Sequence, residues 1–158
     1  GPLQARGTFT FGGYLKKPEL NAWDDEGWFE TGDLARIDRD GYVRITGRTK
    51  DVIIRGGENI PVIEIENVLY RHPKMQDVAV VGMPDPRLGE RACAFVVPRP
   101  GERPTFEEMT GFLAREGMAR NYWPERLELV AAMPRTPSGK IQKFKLREAA
   151  EKLGERGK

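Results

Sequence analysis

The sequence pattern of this chain changes after Gly47, and this change limits the folds that the chain can adopt. Residues 8–46 are rich in Gly, Trp and Phe and contain short β-like runs, whereas strand-like and helix-like segments alternate afterwards. Domains run roughly 50 to 200 residues, so a chain of 158 residues has room for one domain and a small piece of another. We predict that residues 1–49 are the β-hairpin-rich end of one domain and residues 50–158 a second domain.

The first part contains one clear hairpin signal. Residues 34–38 and 42–46 have strand-like compositions and flank the turn-forming residues 39–41, which read Arg-Asp-Gly. The acidic turn also resembles part of a calcium loop, but the third acidic position and the distant Glu of that loop are missing. We therefore interpret it as a turn without a metal.

In the second part, strands and helices alternate without βαβ regularity. This favours an α+β fold, a small mixed sheet with flanking helices. Thr105 and Glu108 have the capping-box spacing, so a helix should begin there with Phe106, Met109, Phe112 and Leu113 on its buried side. The other predicted elements are strands at residues 52–54, 77–84, 91–98 and 127–130 and helices at residues 62–71 and 143–153.

Composition excludes several functional classes. The 26 Lys and Arg nearly balance the 24 Asp and Glu, so charge does not favour a nucleic-acid partner. No segment approaches the roughly 20 apolar residues of a membrane helix. The single cysteine, Cys93, excludes disulfides within the chain and Cys-based metal sites, and it predicts a reducing, cytoplasmic location. The single histidine, His72, is expected to cap carbonyls at a helix end.

Lys140 is a candidate because it follows a run of turn-forming residues, 134–139. Such a loop is typical of a flexible arm that delivers a cation to another surface. A Walker-type phosphate loop would need Gly at position 134 and Ser or Thr at position 141, but Pro134 and Ile141 stand there. The local pattern alone leaves open an exposed lysine without a function.

Two other segments carry residues suited to binding. Asp33 lies in a Thr-Gly-Asp sequence, where its carboxylate could accept two hydrogen bonds from a ribose diol, although it could equally start a turn. Residues 47–51 form a charged joint between the two sequence patterns, followed by the Gly-Gly pair at 56–57. Hinges and surface turns both have such sequences.

Taken together and in order, these segments resemble the adenylate-forming acyl-CoA synthetase superfamily. The matching segments are residues 27–34, 47–51, 56–66 and 134–140. Each one is weak alone, but four in the right order and spacing are specific and cover nearly the whole chain. Residues 122–126 together with residues 137–143 are also similar to synthetases of cyclic or medium-chain acids such as cyclohexanecarboxylate.

The resemblance implies a function in two half-reactions. A carboxylic acid would react with ATP, accompanied by Mg²⁺, to give an acyl-adenylate, and the acyl group would then pass to CoA. The residue roles that it implies are Lys140 for catalysis of adenylation, Asp33 and Arg48 for nucleotide binding, Lys50 as the hinge, and Gly56, Gly57 and Glu58 as the pantetheine channel.

The resemblance also implies that the phosphate loop, the adenine-binding motif and the acyl pocket lie upstream of Gly1. An amino-terminal domain would then be the partner that binds most of the ATP, Mg²⁺ and CoA, and the chain alone should be inactive. No metal site is expected within it. Two alternatives stay open: an adenylation domain that loads a carrier protein, which typically has Asn where this chain has Ser138, and a non-catalytic interaction module. Trp123 also departs from the Lys common before Pro124.

Overall fold

The computed structural model describes residues 1–8, 10, 12–13, 15–16 and 23–155. Its contacts divide the chain into two compact units, Gly1–Lys50 and Asp51–Lys158. The assignment of the first unit to the end of a larger domain stays a prediction.

The first unit contains a three-stranded antiparallel sheet in the order β1-β2-β3. The strands are β1 (Pro2–Ala5), β2 (Phe29–Ile37) and β3 (Val43–Arg48). The predicted hairpin between β2 and β3 is confirmed, with Ile37 paired to Val43. Asp38 closes the turn, because its carboxylate accepts the backbone N–H groups of Asp40 at 3.0 Å and Tyr42 at 2.9 Å.

The second unit contains a mixed five-stranded sheet and three helices, which confirms the predicted α+β class. The strand order is β5-β4-β7-β6, and β8 pairs in parallel with β7. The elements are β4 (Ile53–Arg55), β5 (Glu58–Ile60), α1 (Val62–Leu69), β6 (Met75–Asp85), β7 (Gly89–Pro98), α2 (Phe106–Arg115), β8 (Arg126–Leu129) and α3 (Lys143–Glu155).

The long β6–β7 ladder is covered on both faces. Successive residues of a strand point to opposite faces, so Val78 and Val80 pack against α1 and α2, whereas Ala79 and Val81 pack against α3. Both strands are therefore continuously apolar at their centres. Cys93 lies fully buried on the α3 face, where burial raises the pKa of its thiol to about 12.

Glu66 connects α1 and α3, which cover opposite faces of the sheet, at the outer edge of β6. From α1, its carboxylate oxygen Oε1 accepts the backbone N–H of Val80 at 2.7 Å and the ammonium of Lys143 on α3 at 2.7 Å. An exposed strand edge carries unpaired N–H groups, and this carboxylate satisfies one of them. The contact also fixes the start of α3 relative to the sheet.

Helix α2 begins as the sequence predicts, but its first turn is more open. The Thr105 hydroxyl accepts the Glu108 backbone N–H and the Glu108 carboxylate accepts the Thr105 backbone N–H, a complete capping box. Met109 and Leu113 are fully buried. The prediction that Phe106 is buried is wrong, since this residue is 38% exposed. Helical periodicity indicates which face of the helix a side chain lies on, but not whether other residues cover it.

The prediction that the His72 side chain caps helix carbonyls is also wrong. The ring is 4% exposed and packs edge-on against Phe112, with 4.8 Å between ring centroids. Its Nδ1 accepts the backbone N–H of Lys74 at 3.2 Å, so it acts as an acceptor and not as a cation on helix carbonyls. Burial lowers the pKa of His72, which favours this neutral form.

Helix α3, with 13 residues, is the longest helix in the described ranges. Within those ranges, none of the helices has the length and apolar character needed to cross a bilayer.

Candidate functional site

The structure brings Asp33 and Arg48 together in the first unit. They are direct partners across β2 and β3, and the Arg48 Nε lies 2.9 Å from the Asp33 Oδ1. Asp33 is 25% exposed and Arg48 66% exposed. A carboxylate has about four acceptor positions, so an ion pair through one oxygen leaves capacity for a diol. The pair presents an acceptor and a planar cation side by side.

Local backbone geometry directs Asp33 to this position. Gly32 has a φ of +72°, in the left-handed region that favours glycine. The Thr31 hydroxyl donates to the Leu3 carbonyl at 2.7 Å and accepts the Asp33 backbone N–H at 3.1 Å. The Thr-Gly-Asp sequence is therefore a bent, hydrogen-bonded segment of β2, and the strand register shifts just after Leu34.

Lys50 lies at the boundary between the two units, inside the short 3-10 helix Thr49–Asp51. The next residue, Asp51, is held by α3, since its Oδ1 lies 2.7 Å from the Nη1 of Arg147. The second unit thus begins with an anchored residue directly after Lys50.

The Gly-Gly pair forms the tight turn of the β4–β5 hairpin. Gly56 and Gly57 have φ values of +59° and +86°, and Arg55 pairs with Glu58 across the turn. Two consecutive positive φ angles are typical of a two-residue type I′ turn. The Gly56 N–H donates to the Leu88 carbonyl at 2.8 Å, so the turn lies against the β6–β7 connection.

Polar contacts tie this hairpin to the segment before β8. The Glu58 Oε1 accepts the side-chain amide of Asn121 at 2.7 Å. Arg55 contacts the Asn121 carbonyl and forms an ion pair with Glu125, whose other oxygen accepts the Ala92 N–H at 2.9 Å. Asn121 and Glu125 are therefore structural partners of the hairpin that the sequence did not single out.

An open cleft of about 370 Å³ lies beside the hairpin. Two arginines and two aromatic residues contribute to its wall, so it combines cationic and flat apolar surface. Arg120 forms no ion pair with any described residue, whereas Arg55 is paired. The lining residues are Arg55, Phe106, Thr110, Arg120, Trp123, Pro124 and Glu125.

The predicted loop before Lys140 is a closed turn whose tip is formed by residues 137–139, and Lys140 is exposed beside the bridge at the base of the turn. Arg135 and Ile141 form an antiparallel bridge, and the Thr136 N–H donates to the Lys140 carbonyl at 2.8 Å. The Lys140 N–H in turn donates to the Thr136 hydroxyl at 3.1 Å, and Gly139 has a φ of +86°. The turn formers of this segment thus build a compact hairpin with the lysine side chain in solvent.

The Lys140 turn and the Gly-Gly turn lie near opposite ends of the β6–β7 ladder. Arg135, in the Lys140 turn, forms an ion pair with Asp77 near the start of β6. The Gly56 turn is bonded to Leu88, which follows the other end of β6. Asp77 and Asp85 are eight positions apart on that strand, about 26 Å at about 3.3 Å per residue. The second unit therefore presents its two candidate segments at two distinct ends.

The described residues do not assemble three or more His, Cys, Asp or Glu side chains into a group that could hold a metal ion. The acidic residues of the candidate site, Asp33 and Glu58, are instead engaged by Arg48 and Asn121.

Comparisons with known proteins define the family of this chain. Residues 64–140 match the model of the AMP-binding enzyme C-terminal domain. The chain is 49% identical over 150 residues to the medium-chain fatty-acid–CoA ligase of Escherichia coli strain K12, covering 93% of the chain and 26% of that relative. It is 46% identical over 156 residues to the 2,3-dihydroxybenzoate-AMP ligase of Bacillus subtilis strain 168, covering 97% and 29%.

Solved structures give the same result. A crystal structure of an ATP-bound RpMatB-BxBclM chimera superposes with a TM-score of 0.87 at 36% identity, over 98% of this chain and 31% of that one. The chain therefore carries the carboxyl-terminal domain of the adenylate-forming enzymes. It spans little more than a quarter of the length of the curated relatives described above.

Proposed function

We propose that this chain is the mobile carboxyl-terminal part of an ATP-dependent acyl-CoA synthetase. The observation that carries the proposal is the placement of the Lys140 turn and the Gly56–Gly57 turn at opposite ends of one β-ladder. In an enzyme with two successive half-reactions at one site, two surfaces at opposite ends of a mobile domain can face that site in turn. A rotation of the second unit about Lys50 would exchange them.

In the first half-reaction, Lys140 would act on two anions. A carboxylate oxygen of the acid attacks the α-phosphorus of ATP, and the bond to pyrophosphate breaks, which gives acyl-AMP and pyrophosphate. The ammonium of Lys140 would offset the repulsion between carboxylate and phosphate and stabilise the charge on the transferring group. Its exposed position supports this role, because the side chain can reach into a site outside its own unit.

In the second half-reaction, the Gly-Gly turn would face the site. The sulfur of CoA attacks the acyl carbon, the bond to AMP breaks, and the thiol proton leaves to solvent. Gly56 and Gly57 have no side chains, so their backbone leaves room for a narrow pantetheine arm. The neighbouring cleft offers the guanidinium of Arg120 for the phosphates of CoA.

Lys50 is the proposed hinge. Asp51 is tied to α3 by Arg147, so a rotation of the second unit would place the change of backbone angles at or just before Lys50. The boundary between the compact units at the same position supports this assignment. Hinges are commonly a few residues at the ends of such elements.

The proposed partner is an amino-terminal domain of the same enzyme. An apolar row lies on one face of the β2–β3 hairpin: Ile37 pairs with Val43, and Ile45 lies two positions further on the same face. These side chains are 69%, 54% and 51% exposed. Exposed apolar rows of this kind are typical of surfaces that another element covers.

The acceptor could differ from CoA. The relative from Bacillus subtilis is named for an acid–AMP product and not for a CoA thioester, so we propose as an alternative an acceptor other than CoA, such as a carrier protein. The first half-reaction would be the same. Testing CoA and a carrier protein with the same acyl-adenylate distinguishes the two acceptors.

ATP, CoA and a carboxylic acid are the proposed substrates. The described residues of this chain do not fit a Mg²⁺ site of their own, so we assign no step to that ion here. We also propose a cytoplasmic location, which the single and buried Cys93 supports.

The proposal predicts activity only when the chain is extended upstream to the length of its relatives. That longer protein should catalyse acid-dependent exchange between pyrophosphate and ATP with at least one member of a panel of carboxylic acids, and it should release AMP when CoA is added. The 158-residue chain alone should do neither. Exchange by the isolated chain, or none by the longer protein with any acid, would contradict the proposal.

The nucleotide role of Asp33 leads to a second prediction. Asp33→Asn keeps the shape of the side chain but removes the charge that strengthens bonds to a ribose diol and to Arg48. Charged hydrogen bonds contribute about 1.5 to 3 kcal/mol, so KM for ATP should rise roughly 10- to 100-fold with a smaller change in kcat. Asp40→Asn, in the exposed turn of the same hairpin, is the control. An unchanged KM for ATP would rule out this role.

A further inference from the structure

A chain of polar contacts joins the Lys140 turn to the sheet. Arg135 donates from one guanidinium nitrogen to the carbonyl of Gly139 and from the other to the carboxylate of Asp77. The Asp77 side chain is only 15% exposed, and its other oxygen accepts the hydroxyl of Tyr70 at 2.6 Å. The contacts run from the end of α1, through the start of β6, to the peptide bond that precedes Lys140.

This network fixes the peptide plane that carries the lysine. The Gly139 carbonyl and the Lys140 N–H belong to one planar peptide group. Arg135 holds the oxygen of that group, and the Thr136 hydroxyl holds its N–H at 3.1 Å. Arginine suits this task because its planar fork presents two donors in a fixed geometry. With both ends of the plane bonded, the direction in which the Lys140 side chain leaves the backbone is defined.

Each titratable donor in this network keeps the proton that its hydrogen bond requires. The pKa of Tyr70 is raised to about 12, chiefly by burial and then by its bond to Asp77, so the hydroxyl stays protonated and donates. The hydrogen bond to Asp77 raises the pKa of Arg135, which keeps the guanidinium charged. Asp77 also accepts the N–H of Val78 at 3.1 Å, so its carboxylate is oriented from three sides.

The rest of the turn has little support from the core. Met133 and Ile141 flank it and pack on the α3 side of the sheet, but residues 137–140 between them are exposed. Arg135 is thus the side chain that connects this exposed tip to a strand.

We propose that Asp77 and Arg135 are positioning residues for Lys140 in acyl-adenylate formation. This inference rests on the proposed function of Lys140. The reacting groups must be placed to within about 1 Å, since a misplacement of that size costs about 100-fold in rate. The Asp77–Arg135 pair, called the brace below, orients the Lys140 peptide, so its loss would slow the first half-reaction. The second half-reaction uses the opposite end of the ladder and would keep its rate.

The test uses Asp77→Asn and Arg135→Lys in the upstream-extended enzyme. Asp77→Asn removes the charge that holds Arg135, and Arg135→Lys keeps a cation that cannot bond Asp77 and Gly139 together. For each variant, kcat for pyrophosphate exchange is expected to fall roughly 10- to 100-fold. The rate at which a preformed acyl-adenylate reacts with CoA should stay within about twofold of the parent enzyme, and the melting temperature should be unchanged.

Two control variants distinguish a failure of the proposed Lys140 function from a failure of the proposed positioning role of Asp77 and Arg135. Arg71→Lys alters a comparable ion pair with Glu116, 2.7 Å between Nη2 and Oε2, and it should leave both half-reactions unaffected. Lys140→Ala is measured in the same series. Normal exchange in Lys140→Ala would remove the proposed function, and the brace with it. Loss of exchange in Lys140→Ala together with normal exchange in Asp77→Asn would overturn the brace alone.

A physical readout that needs no catalysis completes the test. In the 158-residue chain, Asp77→Asn should speed tryptic cleavage of the Lys140–Ile141 bond several-fold, because an unbraced turn opens more often. Arg71→Lys should leave that cleavage rate unchanged. Equal cleavage rates in Asp77→Asn and the parent chain would contradict a brace at this turn, whatever the activity of the enzyme.

Discussion

Lys140→Ala in the upstream-extended enzyme is expected to slow acyl-adenylate formation by roughly 10²- to 10³-fold, the effect typical of removing one preorganised charge donor. A preformed acyl-adenylate should still react with CoA at nearly the parent rate, since the Lys140 turn would then lie away from the site. Pyrophosphate exchange measures the first step, and thioester formation from synthetic acyl-adenylate measures the second.

The control for this experiment is Lys145→Ala. Lys145 is an exposed lysine five residues further along, on α3, with its ammonium 5.9 Å from the Phe144 ring. Its replacement removes the same charge from the same region and should leave both rates unchanged. Equal losses of both half-reactions in Lys140→Ala would contradict a role confined to adenylation.

Gly57→Leu is expected to have the reverse effect. The side chain would project from the turn into the space proposed for pantetheine, and no described atom outside residues 56–58 lies within 4 Å of its Cβ to turn it aside. Thioester formation should slow on the order of 100-fold, as for other misplacements of about 1 Å, whereas pyrophosphate exchange should continue. The two rates are measured as for Lys140→Ala.

Backbone strain is the competing explanation for Gly57→Leu, and Gly101→Leu controls for it. A leucine at either φ, +86° for Gly57 or +78° for Gly101, costs about 1 to 2 kcal/mol. Both positions are open, since no described atom beyond the glycine and its two flanking residues lies within 4 Å of an added Cβ. Gly101 follows the other end of β7 and should tolerate leucine without loss of thioester formation. A similar loss in both variants would assign the effect to strain.

Local elements of the fold could be predicted from the sequence because their signals are local. The capping box of Thr105 and Glu108, the Asp38 turn and the Gly-Gly hairpin each depend on residues within a few positions of one another. The strands predicted at residues 77–84 and 91–98 are likewise confirmed as β6 and β7.

The incorrect predictions concern how deeply a residue is buried and which groups surround it. Phe106 has the helical spacing of a core residue, but it lines an open cleft. His72 has the position of a cap, but its burial against Phe112 makes it a neutral acceptor. The segment before Lys140 has the composition of a flexible loop, but side-chain bonds close it into a turn. In each case the environment is set by contacts with residues distant in sequence, or by side-chain hydrogen bonds that composition does not show.

The family, the order of the motifs and the residues proposed for the chemistry could be predicted before the fold was known, because they depend on residue identity and spacing along the chain. The fold was needed to show that Asp33 and Arg48 are cross-strand partners and that Asp77, 58 positions before Arg135, holds the Lys140 turn. It also placed that turn and the Gly57 turn at opposite ends of one ladder. Strand register and edge contacts set these distances, and the linear sequence does not contain them.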